Sequence, residues 1–483
     1  MTTRRPNGAR AGRPSSTPWS RRQAGPVRRS SPSEQASVSG LTTAIIRRSR
    51  AAAADVPSAT LDMARLCVLD WFGLAIGGGG EPATRLIRQV VEAEGAAPVA
   101  SVVGLGSGFS ARQAALVNGV AGHALDYDDV NLAMRVHPTA VILPGLLALA
   151  EAEGLSGRAV IEAFVAGYEA AGMIGTLISA SHYARGFHAT GTIGAFGAAA
   201  ACAHLLGLDE EETARAYGLA GSQAAGLKAQ FGTMAKPLHA GRAAEAGVMA
   251  ALWARAGVSA RADILEHPRG FAATQSDGPL AEEPRWDGYA LDNNLFKHHA
   301  ACFGAHGTLE AVGVLRREGL APEAVRAICL KVDAGADAMC NIAEPRTGLE
   351  AKFSLRLNAA LALHGVDTSD VAAYADSVVQ RADLQAVRAI TEVELAPAGW
   401  PEDVTEVSIE TLDGRRFVAR HDVSRPAGDL NVLRGRLRTK FLNLVEPRLG
   451  AAHSKDLMSR VETLASTEDL VGLLAAACGG DGA

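Results

Sequence analysis

The residues best suited to acid–base chemistry lie in five short polar strings within otherwise small and apolar sequence. Polar side chains of this kind resist burial unless they have partners. Histidine can carry a pKa near neutrality for proton transfer, and lysine supplies a fixed positive charge for carboxylates. Together they suit removal of a proton α to a carboxylate and stabilisation of the developing enediolate. The strings are His123-Ala-Leu-Asp126-Tyr-Asp128-Asp129, His137-Pro138, Gly186-Phe187-His188, Lys236-Pro237-Leu238-His239 and Lys297-His298-His299.

Taken singly, each of these residues has a simpler structural explanation. A lone histidine beside apolar residues is usually a core or capping residue with satisfied hydrogen bonds, and Asp128-Asp129 could cap a following turn. The occurrence of all five strings in one chain favours a functional site.

Other kinds of site find less support in the sequence. Gly104-Leu105-Gly106-Ser107-Gly108 lacks the GxGxxG spacing and the GK[ST] ending of phosphate loops. The thirteen histidines leave a metal site open, but there is no HExxH, and His182/His188 and His298/His299 lack companion ligands at suitable spacing. The serines near residue 222 have no GxSxG context. We therefore expect neither nucleotide, metal nor acyl-enzyme chemistry, and no cofactor.

Composition restricts the class of protein and its partners. A chain of 483 residues with 48% apolar and 20% charged residues can bury a large core and is expected to form two domains. Aromatic residues make up only 5% while glycine is abundant, which favours packed helices. A net charge of -5 argues against nucleic acid and anionic membrane as partners, so an anionic ligand needs a local cluster of cations. Six scattered cysteines indicate a reducing compartment, and we expect a cytoplasmic protein.

The first 40 residues differ from the rest of the chain. They contain eight arginines, one acid (Glu34) and many Ser, Pro and Gly residues, a composition that predicts disorder. Arg4-Arg5 suggests a twin-arginine signal, but no apolar segment follows it. We also expect no transmembrane span, because no apolar stretch of about 18 residues lacks glycine breaks or charges.

From residue 41 onward the apolar residues recur at helical spacing. The run that contains Leu61, Leu66 and Phe72 predicts a core helix that ends at Gly77-Gly78-Gly79-Gly80. Asp209 followed by Glu212 has the form of an N-cap with a capping box. Further alanine-rich helices are predicted over residues 110–125, 138–153, 157–180, 188–206, 210–226 and 241–257.

After about residue 293 the pattern changes to mixed helix and strand. The β-branched runs Val325 to Val332 and Val404 to Thr411 predict strands, and Asp413-Gly414 predicts a hairpin before Arg415 to Arg420. We predict a mainly α fold: a large all-helical domain formed by the N- and C-terminal parts, with a smaller inserted α/β lid domain. The predicted units are a disordered tail (1–40), a helical domain (41–292), the α/β lid (293–430) and C-terminal helices that complete the helical domain (431–477).

Taken in order, the polar strings resemble the signature blocks of the MmgE/PrpD family, the group of 2-methylcitrate dehydratase and cis-aconitate decarboxylase. The similarity extends over nearly everything from about residue 41 to 475, and five blocks in the right order are highly specific. The blocks are Asn118-Gly119 through Asp129, His137-Pro138 to Leu143-Pro144, Gly186-Phe187-His188 with Gly191 and Gly194, Lys236 to Gly241, Lys297 to His306 and, in addition, Glu350 to Ser354.

The resemblance implies a homodimer with its active site between the two domains and with neither metal nor organic cofactor. It also implies site residues. His137 and His188 would do the acid–base work, Lys236 and Lys297 would bind the substrate carboxylates, and Asp126 would orient or charge a neighbour.

The sequence departs from the cis-aconitate decarboxylases at positions that are polar in them. Val130 replaces a threonine, Cys302 aligns with a histidine, and an active-site tyrosine falls near Met339 or Cys340. Loss of polar contacts shaped for one substrate costs specificity, so these differences argue against itaconate formation. Cys302 could contact substrate as a weak polar group, or it could be a small core residue.

The leading functional prediction is a lyase that eliminates water from a small hydroxy-polycarboxylate, with 2-methylcitrate as the family's reference substrate. An epimerase or a decarboxylase acting on a related dicarboxylate remains open, because epimerisation begins with the same proton abstraction. A carboxylate-binding protein without activity is a further alternative, although both lysines and both histidines are retained. A hydrolase has the least support, for want of a nucleophile or metal motif.

Overall fold

A computed structural model of the chain describes residues 40–278, 280, 288–426, 428–468 and 470–478. The predictions for the arginine-rich tail therefore lie outside the described residues, apart from Gly40.

Helices dominate the described part of the chain, as predicted. Those before residue 293 are α1 (Leu41–Ala54), α2 (Ser58–Gly78), α3 (Pro82–Glu94), α4 (Ala111–His123), α5 (Pro138–Glu153), α6 (Gly157–Ala184), α7 (Ala189–Leu205), α8 (Glu210–Gly221), α9 (Ala235–Arg255) and α10 (Phe271–Gln275). Helices α4, α5, α6, α7 and α9 pack against one another. Nearly all residues of α7 are buried, which is typical of a central core helix.

Helix α6 is long and apolar enough to cross a membrane by length and composition alone. In the fold, 83% of its most apolar window is buried, and it packs against α1, α5 and α7. Burial of this extent is typical of a core helix in a folded domain.

Two glycines allow α4 and α9 to approach closely. A Cβ atom added to Gly119 would lie 2.7 Å from the Cα atom of Gly241, nearer than such atoms normally come. The contact brings the C-terminal end of α4 and the N-terminal end of α9 into one neighbourhood, where several polar strings lie.

The later part of the chain contains a four-stranded sheet covered by helices. The strands are β3 (Val325–Val332), β4 (Thr391–Leu395), β5 (Val404–Thr411) and β6 (Arg416–Asp422), which follow the small hairpin β1 (Ala100–Val102) and β2 (Gly106–Phe109). The strand order is β4-β3-β5-β6, with β3 and β4 parallel and the other pairs antiparallel. The helices here are α11 (Phe303–Arg317), α12 (Gly335–Cys340), α13 (Gly348–Ala351), α14 (Leu355–Leu363), α15 (Asp376–Val379) and α16 (Ala382–Ala389).

The C-terminal helices pack back onto the first part of the chain. They are α17 (Leu430–Leu449), α18 (Ala451–Glu462) and α19 (Leu470–Ala477), and both α17 and α18 contact α2. Their packing is what the predicted all-helical domain requires, while the lid domain and the domain bounds stay predictions.

Several local predictions are confirmed in detail. Strands β3 and β5 have the predicted bounds, Asp413-Gly414 lies in the β5–β6 turn, and Asp209 forms a capping box with Glu212. The glycines between residues 104 and 108 shape the β1–β2 hairpin, with positive φ angles at Gly104, Gly106 and Gly108. They form a strand-to-strand turn rather than a phosphate loop.

Helix α2 ends at Gly78, within the predicted glycine string, where any side chain would collide with the carbonyl oxygen of Ala121. Three other helix bounds differ from the prediction. Helix α6 continues to Ala184 instead of ending at residue 180. Helix α8 ends at Gly221 rather than residue 226. Helix α9 begins at Ala235 instead of 241, because Pro237 fits the first turn of a helix, where its missing N–H is not needed.

Candidate active site

The structure places the predicted site residues at the ends of helices, except Lys297, which lies in the irregular segment before α11. His137 and His188 are the N-cap residues of α5 and α7, and Cys302 is the N-cap residue of α11. Lys236 lies in the first turn of α9, and Asp126 follows the C-terminal end of α4. Helix packing thus brings distant sequence segments together, and the polar side chains at the helix ends do not interrupt the buried apolar faces of the helices.

Asp126 links both predicted lysines. Its Oδ1 atom accepts hydrogen bonds from the amines of Lys236 at 2.5 Å and Lys297 at 3.0 Å, and its backbone oxygen accepts from Lys297 at 2.6 Å. Asp126 has a φ of 52°, a left-handed conformation that aspartate tolerates better than most residues. Such a conformation is costly, and its occurrence at the centre of this cluster agrees with a functional constraint.

The charges in this group stabilise one another. Burial alone would raise the pKa of Asp126, but the amines of Lys236 and Lys297 hold that pKa well below its ordinary value. Burial would lower the pKa of Lys236, and the Asp126 carboxylate raises it instead. The side chains of Asp126 and Lys236 retain 25% and 16% exposure, so a small ligand can reach them, whereas Lys297 is buried.

His137 is fixed in one tautomer by the backbone. Its Nδ1 atom lies 2.8 Å from the carbonyl oxygen of Asp129, and its main-chain N–H donates to the hydroxyl of Thr190. Because a carbonyl oxygen can only accept, Nδ1 carries the proton and Nε2 bears the lone pair in the neutral ring. Burial lowers the pKa of His137 to about 3, even though the nearby Asp128 carboxylate opposes this shift.

His123 lies between the two predicted histidines. Its ring centroid is 4.8 Å from that of His137 and 5.9 Å from that of His188, with the latter pair stacked. Its Nδ1 atom donates to Asp128 Oδ2 at 2.7 Å, while its buried Nε2 has no hydrogen-bond partner in the described part of the chain. Burial would raise the pKa of Asp128, but the two neighbouring imidazoles hold it far below its ordinary value.

His188 pairs with a fourth histidine. The Nδ1 atoms of His188 and His239 are 3.0 Å apart, so one ring donates its proton to the other. The ring of Phe231 meets His188 edge-on at 5.0 Å. Burial, followed by the positive electrostatic influence of His123 and Lys236, lowers the pKa of His188 well below its ordinary value.

Further buried ionisable groups lie next to the site residues. Lys440 pairs with Asp70 at 2.6 Å and donates to the backbone oxygens of Tyr127 and Lys297 at 2.7 and 3.1 Å. Burial raises the pKa of Asp129 to about 8, although Thr139 donates to its carboxyl group at 2.6 Å. Asp128 and Asp129 are therefore partners of site residues rather than caps of a turn.

Cys302 contacts Cys340. The hydrogen bond from the Cys340 thiol lowers the pKa of Cys302, and the same contact, with burial, raises the pKa of Cys340. Cys302 also lies within electrostatic range of Asp126 and Lys297. Two of the three positions expected to differ from the decarboxylases, Cys302 and the Met339–Cys340 segment, thus meet in space through the Cys302–Cys340 contact.

Lys352 is a third lysine at this site, and sequence reasoning gave it no role. Burial lowers its pKa while the Asp126 carboxylate opposes that shift, and its backbone oxygen accepts a hydrogen bond from the main-chain N–H of Cys302 at 3.0 Å. Its amine has no hydrogen bond or ion pair with the described residues. The available signal was its place in Glu350-Ala-Lys352-Phe-Ser354, a segment noted for family resemblance alone.

Three of these side chains could in principle hold a cation. One ligand atom each from His123, Asp128 and His137 lies within 4.8 Å of the other two. However, the Nδ1 atoms of both rings already donate hydrogen bonds, and Lys236 and Lys297 lie within electrostatic range of His137. A site with this charge distribution suits an anion better than a metal ion.

Comparison with known proteins identifies the relationship. A sequence model of the MmgE/PrpD N-terminal domain matches residues 49–283, and one of the MmgE/PrpD C-terminal domain matches residues 299–464. The chain belongs to the MmgE/PrpD family. The predicted family resemblance is therefore confirmed.

Relatives that the chain matches are named cis-aconitate decarboxylase or cis-aconitate decarboxylase-like protein. Cis-aconitate decarboxylase-like protein oryM of Aspergillus oryzae is 29% identical over 54% of this chain and 58% of its own length, less than two thirds of that protein. The human cis-aconitate decarboxylase is 30% identical over 64% of this chain and 67% of its own length. The mouse enzyme is 29% identical over 74% of this chain and 76% of its own length. These relatives support a lyase-type function at the level of the family.

Proposed function

We propose that this MmgE/PrpD chain is a lyase that eliminates water from a small hydroxy-polycarboxylate of the 2-methylcitrate type. The observation that carries the proposal is the neutral, backbone-fixed imidazole of His137 beside a group of lysines. In this arrangement the imidazole can remove a proton α to a carboxylate while the lysines bind that carboxylate.

His137 is the proposed base. The hydrogen bond from its Nδ1 to Asp129 leaves Nε2 as the proton acceptor. Its lowered pKa keeps the ring neutral at physiological pH. A carboxylate ligand would offset the positive charges of Lys236 and Lys297, two of the groups that lower this pKa, so substrate binding would make His137 a stronger base.

The lysines are the proposed carboxylate ligands. Lys236 and Lys297 share Asp126, which therefore positions their amines. The amine of Lys352 lies 6.0 Å from the ring centroid of Tyr374, makes no hydrogen bond or ion pair with the described residues, and can add a third contact. Ammonium groups that bind a substrate carboxylate also stabilise the extra negative charge that reaches its oxygens as the α C–H bond breaks.

His188 is the proposed acid for the leaving hydroxyl group. As the C–H bond breaks and the carbon–carbon double bond forms, the carbon–oxygen bond breaks and the hydroxyl leaves as water with a proton from His188. Negative charge on the bound substrate would favour the protonated form of His188, whose pKa is low in the ligand-free site. Its partner His239 can stabilise the ring during this transfer.

Decarboxylation is the second candidate because the relatives named above carry that activity. The same cations would bind a polycarboxylate, and the outcome would depend on whether carbon dioxide or water leaves. By the family resemblance, Cys302 stands in the place of a decarboxylase histidine, and Met339 or Cys340 in the place of a tyrosine. For that reason we rank decarboxylation second. Epimerisation would use the same proton abstraction without any leaving group.

The deciding experiment incubates the protein in deuterated water with each candidate substrate and follows the substrate signals by NMR. The candidates are 2-methylcitrate, citrate, cis-aconitate, substituted succinates and tartrates. Alkene signals from a hydroxy acid indicate dehydration, and loss of a carboxylate carbon as bicarbonate indicates decarboxylation. Deuterium incorporation together with conversion into a stereoisomer, without an alkene, indicates epimerisation. We expect alkene formation from a hydroxy-polycarboxylate.

The control variants separate catalysis from folding. His137→Gln should lower the rate about 10²- to 10⁴-fold, the usual contribution of a general base. His453→Gln removes a histidine on α18 whose Nε2 donates to a backbone oxygen, and should leave the rate unchanged. Equal rates in wild type and His137→Gln would refute the proposed base, and silence across the panel from folded protein would favour the binding-only alternative.

A further inference from the structure

The side chains of the string Lys297-His298-His299 lie in two different sites of the fold. Lys297 directs its amine to Asp126 in the candidate active site. His298 and His299 instead line a separate cavity of about 370 Å³ between α11, the end of α14 and α17. The proposed reaction uses only the first of these three residues.

The cavity wall carries an excess of positive charge. Four cations line it, together with the two carboxylates Glu310 and Asp367, so the wall has two more positive than negative side chains when the histidines are neutral. We call it the arginine cavity, after Arg316, Arg317 and Arg436, which line it with Lys440. Because Arg436 pairs with Glu310 and Lys440 with Asp70, the positive charge open to a ligand is that of Arg316 and Arg317, which together match a small dianion.

Both carboxylates of the cavity wall already accept hydrogen bonds from neighbouring residues. Glu310 accepts hydrogen bonds from Arg436 at 2.6 Å and from His299 at 3.3 Å, so it orients two donors of the wall. Asp367 accepts from the main-chain N–H and the hydroxyl of Ser369 at 2.9 and 2.6 Å. Neither carboxylate neutralises the two arginines of α11.

Several donors in the cavity are available to a ligand. The guanidinium groups of Arg316 and Arg317 and the ring of His298 make no hydrogen bond or ion pair with the part of the chain that the structure describes. The guanidinium of Arg316 lies against the backbone of Gly365, where any side chain would collide with it. Arg436 uses one of its five N–H groups on Glu310.

Lys440 connects the cavity to the candidate active site. It lines the cavity, and its amine also donates to the backbone oxygens of Tyr127 and Lys297, which adjoin the Asp126 group. An anion that draws this amine toward the cavity would weaken those bonds and the ion pair with Asp70. The effect would reach Lys297 through its own backbone.

We propose that the arginine cavity binds a small dianion carrying either a phosphate group or two carboxylates, and that the bound dianion changes the affinity of the active site through Lys440. Such coupling must be reciprocal, because each ligand changes the affinity for the other by the same factor. The binding itself does not depend on the proposed lyase activity.

The experiment is isothermal titration calorimetry on the full chain at low chloride, with inorganic phosphate and succinate as separate arms. The double variant Arg316→Gln/Arg317→Gln should weaken binding at least tenfold. The matched control Arg85→Gln/Arg269→Gln removes two exposed arginines far along the chain from the cavity residues, neither of which forms an ion pair with the described residues, and should bind as wild type. The arm that binds identifies the ligand as a phosphate or a dicarboxylate.

A second set of titrations separates the cavity from the active site and tests the coupling. Lys236→Gln should leave dianion binding intact, and saturating dianion should change the wild-type affinity for propane-1,2,3-tricarboxylate at least threefold. The proposal is overturned if neither dianion binds, or if binding is lost in Lys236→Gln but retained in the double arginine variant. An unchanged tricarboxylate affinity would overturn the coupling through Lys440.

Discussion

The Nδ1 atom of His137 lies 2.8 Å from the backbone oxygen of Asp129. This contact cannot be removed by a change of side chain at position 129, and it holds the ring with Nε2 unprotonated. The same ring lies 3.4 Å from Asp128, which can stabilise the imidazolium that forms when His137 accepts a proton. The pair of contacts thus favours a base that is neutral before the reaction and stabilised after it.

The charge state of His137 should change when a polycarboxylate binds. Burial lowers its pKa to about 3 in the ligand-free protein, so the ring should remain neutral as the pH falls well below 6.5. A bound tricarboxylate offsets the lysines that contribute to this shift, and the pKa should rise. NMR titration of the histidine ring protons, assigned with His137→Gln, would measure both values with and without propane-1,2,3-tricarboxylate. A ligand-free pKa near 6.5, or one that the ligand lowers, would contradict this account.

Lys352→Gln should weaken substrate binding more than it slows the chemical step. A charged hydrogen bond contributes about 1.5–3 kcal/mol, so we expect KM to rise roughly ten- to hundredfold with a smaller change in kcat. Lys455→Gln, which removes a lysine from the exposed side of α18, is the matched control and should leave both constants unchanged. If KM is the same in the two variants, Lys352 does not contact the substrate.

Local sequence patterns predicted the elements, and the reason is physical. The β-branched runs at Val325–Val332 and Val404–Thr411 and the capping pair Asp209/Glu212 depend on near neighbours in the chain, so their signals survive in the sequence. The start of α9 was missed because Pro237 resembles a helix breaker unless its place in the first turn is known.

The site was predictable only in part, because its residues meet through long-range packing. Asp126, Lys236 and Lys297 were singled out by residue type and family resemblance, and the structure places all three in one hydrogen-bonded group. The position of His123 between His137 and His188 depends on the crossing of α4 with its neighbours. No spacing in the sequence encodes that arrangement.

Cys302 should titrate below the ordinary range of a cysteine thiol. The Cys340 thiol donates a hydrogen bond that stabilises the Cys302 thiolate, and this outweighs the opposing effect of burial. Removing the donor with Cys340→Ala should therefore raise the pKa of Cys302. Thiolate absorbance at 240 nm against pH, with Cys302→Ser to assign the signal, measures this change. A Cys302 pKa that stays the same in Cys340→Ala would show that the contact has no electrostatic role.

Asp129 should make the protein less stable as the pH rises toward 8. Burial raises its pKa to about 8 in the folded protein, whereas an aspartate in the unfolded chain has a pKa of about 3.9. Between these values the folded state holds one proton more, so the free energy of unfolding falls as the pH rises, by about 1.4 kcal/mol per pH unit from this group. Asp129→Asn cannot ionise and keeps the backbone oxygen that fixes His137. Urea unfolding from pH 5 to pH 7 should show a steeper decline for wild type than for Asp129→Asn, and parallel curves would mean that Asp129 is already ionised.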